Sequence, residues 1–186
     1  MIGTSDFRGG LKLELEGDPY MIVESQHVKP GKGGAFVRTK LKNLKTGNLL
    51  EKTFRPGEKF NVPDLVEKEM QFLYSQGDEY HFMDTDTYEQ LFLVPVQLGS
   101  SKDFLKENML AKIVFFRGQP LSVELPVFVE LKIIETEPGV RGDTATGGTK
   151  LAKLESGGSV KVPLFMEEGT IVKVDTRTGS YIERVK

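Results

Sequence analysis

What most limits the folds open to this chain is its punctuation. Turn-forming clusters recur along nearly its whole length: Gly17-Asp18-Pro19, Pro30-Gly31-Lys32-Gly33-Gly34, Lys45-Thr46-Gly47-Asn48, Arg55-Pro56-Gly57-Glu58, Ser75-Gln76-Gly77-Asp78, Asp84-Thr85-Asp86-Thr87 and Arg177-Thr178-Gly179. The runs between them are short and rich in β-branched and aromatic residues, the composition of strands joined by tight turns. Helical character is confined to residues 100–108, where Ser100 followed three residues on by Asp103 suggests a capping box. The chain is therefore predicted to be all-β.

The strands fall into three groups. Residues 11–16, 20–28, 35–42 and 49–54 form the first, a small barrel that runs to about Asn61. Val62-Pro63-Asp64 marks a boundary. Strands at 69–73, 79–83 and 89–94, the short helix, and strands at 111–116 and 121–125 follow, which is the order of an OB-type barrel. Near Pro126 the pattern restarts with Val127, Val129, Leu131 and Ile133 alternating, then strands at 159–162, 170–174 and 181–185. Three small β-barrel domains in series are expected, at 1–62, 63–126 and 127–186, with linkers too short to act as floppy tethers.

Composition removes several classes of function. The chain has no cysteine and two isolated histidines, His27 and His81, so neither a disulfide framework nor a thiolate or structural metal site is expected. No cofactor is implied. No apolar run approaches the roughly 18 residues that a membrane helix needs, and 1–7 lacks the basic and apolar segments of a secretory signal. A cytoplasmic protein with no membrane partner is the expectation. The net charge of -2 conceals a segregation. Between Lys29 and Arg55, Lys29, Lys32, Arg38, Lys40, Lys42, Lys45, Lys52 and Arg55 face Glu51 alone, whereas between Asp64 and Glu89 the only cation is Lys68. A basic arm on an otherwise acidic molecule suits contact with a polyanion such as nucleic acid.

The basic arm has a distinctive tip. Pro30 fixes its own φ and biases Lys29 toward an extended conformation, while Gly31, Gly33 and Gly34 surround Lys32 with no side-chain bulk. Lys32 is expected to project alone from the end of a long hairpin, with Arg38, Lys40 and Lys42 forming a basic rim behind it. An ordinary solvated hairpin tip would have the same composition. Gly31-Lys32-Gly33-Gly34 is not a nucleotide-binding loop: the spacing is wrong, no Ser or Thr follows the lysine, and a strand rather than a helix comes next. Asp84, Asp86 and Glu89 lack the glycine and terminal glutamate of a calcium loop. Neither histidine has a nucleophile partner and no Gly-x-Ser-x-Gly elbow occurs, so no enzyme is indicated. The glycine- and threonine-rich stretch 141–150 reads either as a backbone-rich contact surface for phosphates, riboses and unpaired bases or as a plain surface loop.

Three motifs together go further. Val28-Lys29-Pro30-Gly31-Lys32-Gly33-x-Ala35-Phe36, Gly142-Asp143-Thr144-Ala145, and Val160-Lys161-Val162-Pro163-Leu164-Phe165 with Val172-Lys173-Val174-Asp175-Thr176-Arg177 resemble bacterial translation elongation factor P, in order and spacing and across the whole chain. The resemblance implies an SH3-like (KOW-type) barrel followed by two OB domains, in an L shape that mimics tRNA. It implies a non-enzymatic factor that enters the ribosome between the P and exit sites and helps form peptide bonds at consecutive prolines. On that analogy Lys32 reaches the CCA end of P-site peptidyl-tRNA and is extended by a lysine-modifying enzyme. Gly142, Asp143, Thr144 and Thr146 lie near the exit-site codon of the mRNA, Tyr181 and Arg184 contact tRNA, and the remaining partner is rRNA. The competing reading is a general single-stranded RNA-binding OB-fold protein.

Overall fold

The structure, a computed structural model, describes residues 1–139 and 147–186. Its strands are β1 (Ile2–Gly3), β2 (Lys12–Leu15), β3 (Asp18–Val28), β4 (Phe36–Asn43), β5 (Leu49–Phe54), β6 (Lys59–Phe60), β7 (Leu65–Gln76), β8 (Glu79–Asp84) and β9 (Gln90–Leu93). After the helical segment come β10 (Leu110–Phe116), β11 (Gln119–Glu124), β12 (Phe128–Thr136), β13 (Thr149–Leu154), β14 (Ser159–Pro163), β15 (Ile171–Asp175) and β16 (Ser180–Arg184). They build a four-stranded sheet in the order β2-β3-β4-β5, a β1-β6 ribbon, and two five-stranded sheets ordered β11-β10-β7-β8-β9 and β14-β13-β12-β15-β16. The all-β expectation holds.

These elements pack as two compact units, Met1–Glu67 with Val114–Ser122 and Lys68–Ile113 with Val123–Lys186. In the first, β4 shows how the sequence pattern becomes structure. Val37, Thr39, Leu41 and Asn43 point inward while Arg38, Lys40 and Lys42 point to solvent, the two-residue period of a half-buried strand. Val37 and Leu41 join Phe7, Leu13, Ile22 and Phe54 in one core, where Phe54 meets Phe7 edge-on at 5.6 Å and Phe60 at 5.0 Å between ring centroids. A second cluster in this unit, Val114, Phe116 and Leu121, packs with Leu44 and Leu65. The core of the second unit gathers Phe104 with Val129, Leu131, Ile133, Leu154, Val162 and Val172, among others.

Two sequence expectations are corrected. The helical segment begins earlier, with a short α-helix α1 (Pro95–Leu98) and a 3-10 turn over Gly99–Phe104. Pro95, at the first helical position, presets φ, and the Gln97 side chain accepts the Val94 amide at 2.9 Å, so the start signal lies before Ser100. Asn108, at φ +67°, lies beyond the helical segment. The strand β13 was not legible because Lys150, Leu151, Lys153 and Leu154 mix charge and bulk without strict alternation, and its place is set by pairing with β12 and β14.

Candidate functional site

The Lys32 arm is built from β3 and β4, paired from Tyr20↔Asn43 to Val28↔Phe36 with a bulge between Ile22 and Glu24. Beyond Val28 the connection 29–35 leaves the ladder and every one of its residues is exposed. Lys32 has no hydrogen-bond or ion-pair partner among the described residues. Its glycines do different things. Gly33 sits at φ +121°, a conformation that side chains resist, whereas a Cβ at Gly31 or Gly34 would meet nothing within 4 Å. Nothing among the described residues requires the lack of bulk at those two positions.

The rim behind the tip is less basic than the linear sequence implies. Arg38, Lys40 and Lys42 share the solvent face of β4, but Arg38 Nε lies 3.6 Å from Glu51 Oε1, and Lys40 stands between Glu24 of β3 and Glu51 of β5. Lys45 binds Asp18 at 2.5 Å and Lys52 binds Glu16 at 3.1 Å. The Lys45 hydrogen bond holds the Asp18 carboxyl below the ordinary carboxylate range, overcoming the opposing effect of burial. Acids distant in sequence thus neutralise part of the arm. Among the described residues, Lys29, Lys32 and Lys42 have no neighbouring acid in the ion pairs and strand registers.

Tyr181 and Arg184 lie on β16 in the second unit. Tyr181 is half-buried against the core, and Arg184 is exposed. Their hairpin is closed by Asp175, whose carboxylate accepts the Arg177 amide at 2.9 Å and the guanidinium at 3.1 and 2.7 Å. The Arg177 side chain is the main cause that holds the Asp175 carboxyl below its ordinary value, and burial opposes it. A lowered folded-state pKa adds stability that is in place above about pH 3.9, the ordinary aspartate value, and is lost as pH falls through the lowered one. Asp175→Asn is therefore expected to lower stability at neutral pH and to flatten its decline in acid, as read by urea unfolding at pH 7 and below pH 4.

Gly142, Asp143, Thr144 and Thr146 lie outside the described residues. On either side of them, a Cβ at Gly139 would stand 2.6 Å from the Leu164 carbonyl oxygen and one at Gly148 2.9 Å from Leu164 Cδ1. Among the described residues no group of three or more His, Asp or Glu is placed to hold a metal. What the arm offers is an exposed amine with three donors and a charge. Sequence reasoning passed over Glu14, Phe116 and Arg117, which surround the root of the arm. The available signal was Arg117-Gly118 between two strand-like runs, a hairpin turn with arginine where asparagine is favoured.

Comparison with known proteins bears on this arrangement directly. Residues 3–60 match the elongation factor P KOW-like domain, 65–123 its OB domain and 129–184 its C-terminal domain. The chain is 59% identical over 186 residues to elongation factor P of Natranaerobius thermophilus, covering 100% of this chain and 99% of that protein. The chain belongs to the elongation factor P family. It is 57% identical to the Moorella thermoacetica member, over 99% of this chain and 100% of that one. Among solved structures, eukaryotic translation initiation factor 5A from Methanococcus jannaschii matches with a TM-score of 0.52 and 26% identity, over 66% of this chain and 94% of the other. The three β domains, KOW-like, OB and C-terminal, are those of the family. As a family member this is a translation elongation factor rather than an enzyme, which displaces the reading as a general RNA-binding OB protein. The KOW-like match contains Lys32, and the C-terminal match contains Tyr181 and Arg184.

Proposed function

We propose that this elongation factor acts in the cytoplasm on ribosomes stalled at consecutive prolines, bound between the P and exit sites. The Lys32 amine, lengthened by a lysine-modifying enzyme, reaches the CCA end of P-site peptidyl-tRNA. The observation that carries this reading is an exposed amine, partnerless among the described residues, at the end of a long two-stranded arm. Proline reacts poorly because its ring restricts the geometry of attack, and a factor that holds the tRNA end in a productive pose lowers the barrier by orientation. No acid or base is needed at the tip.

Lys29, Pro30, Gly31, Gly33 and Gly34 shape the tip, and Arg38, Lys40 and Lys42 add sequence-independent attraction to rRNA. Tyr181 and Arg184 contact tRNA, and Gly142, Asp143, Thr144 and Thr146 lie by the exit-site codon of the mRNA. Domain boundaries are drawn after residues 62 and 126. The acidic stretch from Asp64 to Glu89 is kept away from rRNA phosphate.

The test is reconstituted translation of a template with three consecutive prolines, with and without the protein. Acceleration confined to the proline run supports the reading, and equal rates overturn it. Intact-mass measurement on protein from its native host reads the modification, and an unmodified mass removes that part of the proposal. The tip glycines give a separate expectation. A methyl at Gly31 meets nothing within 4 Å among the described residues, so Gly31→Ala leaves the melting temperature unchanged while slowing proline-run synthesis, because the added bulk meets the tRNA or the ribosome.

A further inference from the structure

The root of the Lys32 arm is held from both sides. β3 begins at Asp18, β4 ends at Asn43, and Lys45 just beyond it reaches back to Asp18 at 2.5 Å, while the Leu44 amide donates to the Pro19 carbonyl at 2.9 Å. Against this root lies the turn between β10 and β11. Arg117 Nη2 donates to Glu14 Oε1 at 2.5 Å, and Glu14 is the β2 residue paired with Pro19 of β3. Phe116, 5% exposed, packs with Leu44. The Lys45 ammonium and the Arg117 guanidinium both lie over its ring, 5.4 and 5.0 Å from the centroid, a cation–π arrangement at each.

Arg117 occupies a costly place. At φ +50°, followed by Gly118 at +77°, it fills the first central position of a hairpin turn that favours Asn, Asp or Gly. Asparagine would serve the backbone better. What arginine adds is reach and a guanidinium for the Glu14 carboxylate, so the backbone strain is tolerated for the side chain.

We infer that Arg117 is a positioning residue for Lys32, latching the root of the arm onto the β10–β11 turn. The inference rests on the functional reading above. The paired arm is about 30 Å long at roughly 3.3 Å per residue, so a rotation of about 5° at its root moves the tip by about 3 Å. A displacement of about 1 Å in a reaction that depends on orientation can cost about 100-fold. Angular play at the root is therefore felt at the amine, although no atom of Arg117 is part of the tip.

The chain lacks cysteine, which makes site-directed spin labelling direct. With cysteines placed at the exposed Gln26 and Gln119, the full-length protein gives a narrow label-to-label distance distribution, and Arg117→Asn broadens it. Without labels, Arg117→Asn keeps or raises the melting temperature, because the left-handed strain is relieved. It lowers the rate across three prolines at saturating factor by about ten-fold, with less than about three-fold change in the half-saturating concentration. Arg117→Lys, which can still reach Glu14, recovers part of the rate, and Arg117→Glu with Glu14→Arg exceeds either single variant. An unbroadened distribution, a full saturating rate, or a loss of rate that merely follows a loss of melting temperature overturns the inference. Lys32→Ala in the same assay separates the two readings. If Lys32→Ala is slow and Arg117→Asn is not, the latch alone fails; if Lys32→Ala is as fast as the parent, the functional reading fails first.

Discussion

Lys32→Ala is expected to fold like the parent protein and to lose nearly all of its acceleration of proline-run synthesis. The folding half follows from exposure. The side chain is exposed and partnerless among the described residues, and such surface positions usually change stability by within about 0.5 kcal/mol. The functional half follows from what the amine can contribute where it is delivered. Charge-assisted hydrogen bonds contribute about 1.5–3 kcal/mol each, which corresponds to about 10- to 100-fold in rate when the bond forms only in the productive arrangement. Lys32→Arg is informative beside it. It keeps the charge but replaces a compact ammonium by a planar guanidinium, and it removes the amine that a modifying enzyme would extend, so an intermediate rate is expected. The paired measurement is a thermal melt and a single-round translation of a three-proline template. A full-rate Lys32→Ala with an intact melt would leave the arm without a purpose.

The arm itself was legible because every device that makes it is local. Pro30, the three glycines and the β-branched flanks act within a few residues of Lys32, and local turn chemistry reads directly from sequence. What stayed hidden depends on residues far apart in the chain. Glu14 and Arg117 are 103 positions apart, and Glu16 reaches Lys52 only after the sheet forms. The basic character of 29–55 was therefore overstated, since charge counted along a sequence cannot register acids that pairing brings alongside. The misplaced helix start has another cause. Ser100 and Asp103 match a capping pattern, but they lie inside the 3-10 turn Gly99–Phe104, which has no side-chain cap, while Pro95 and Gln97 open the helical segment five residues earlier.

The seam between the 3-10 turn and the C-terminal sheet gives the second large effect. Gly158 is buried at ordinary negative φ, so its backbone would accept alanine. Space would not. A Cβ there would lie 2.3 Å from the Asp103 carbonyl oxygen and 2.9 Å from its Cβ, and that same oxygen accepts the Ser156 hydroxyl at 2.6 Å. Neither side can yield cheaply, because Asp103 precedes Phe104, which is anchored in the core with Val129, Leu131 and Val162. Separating the seam also pulls on the Lys106–Glu155 ion pair at 3.1 Å. Overpacking together with a lost hydrogen bond comes to about 3 kcal/mol, which lowers the melting temperature of a chain this long by about 6–12 °C. Ser156→Ala removes the hydrogen bond without the collision and is expected to cost only about 1 kcal/mol. The ratio of the two shifts distinguishes a steric seam from a polar one: a Gly158→Ala protein no less stable than Ser156→Ala would mean that the turn is free to move away from Asp103.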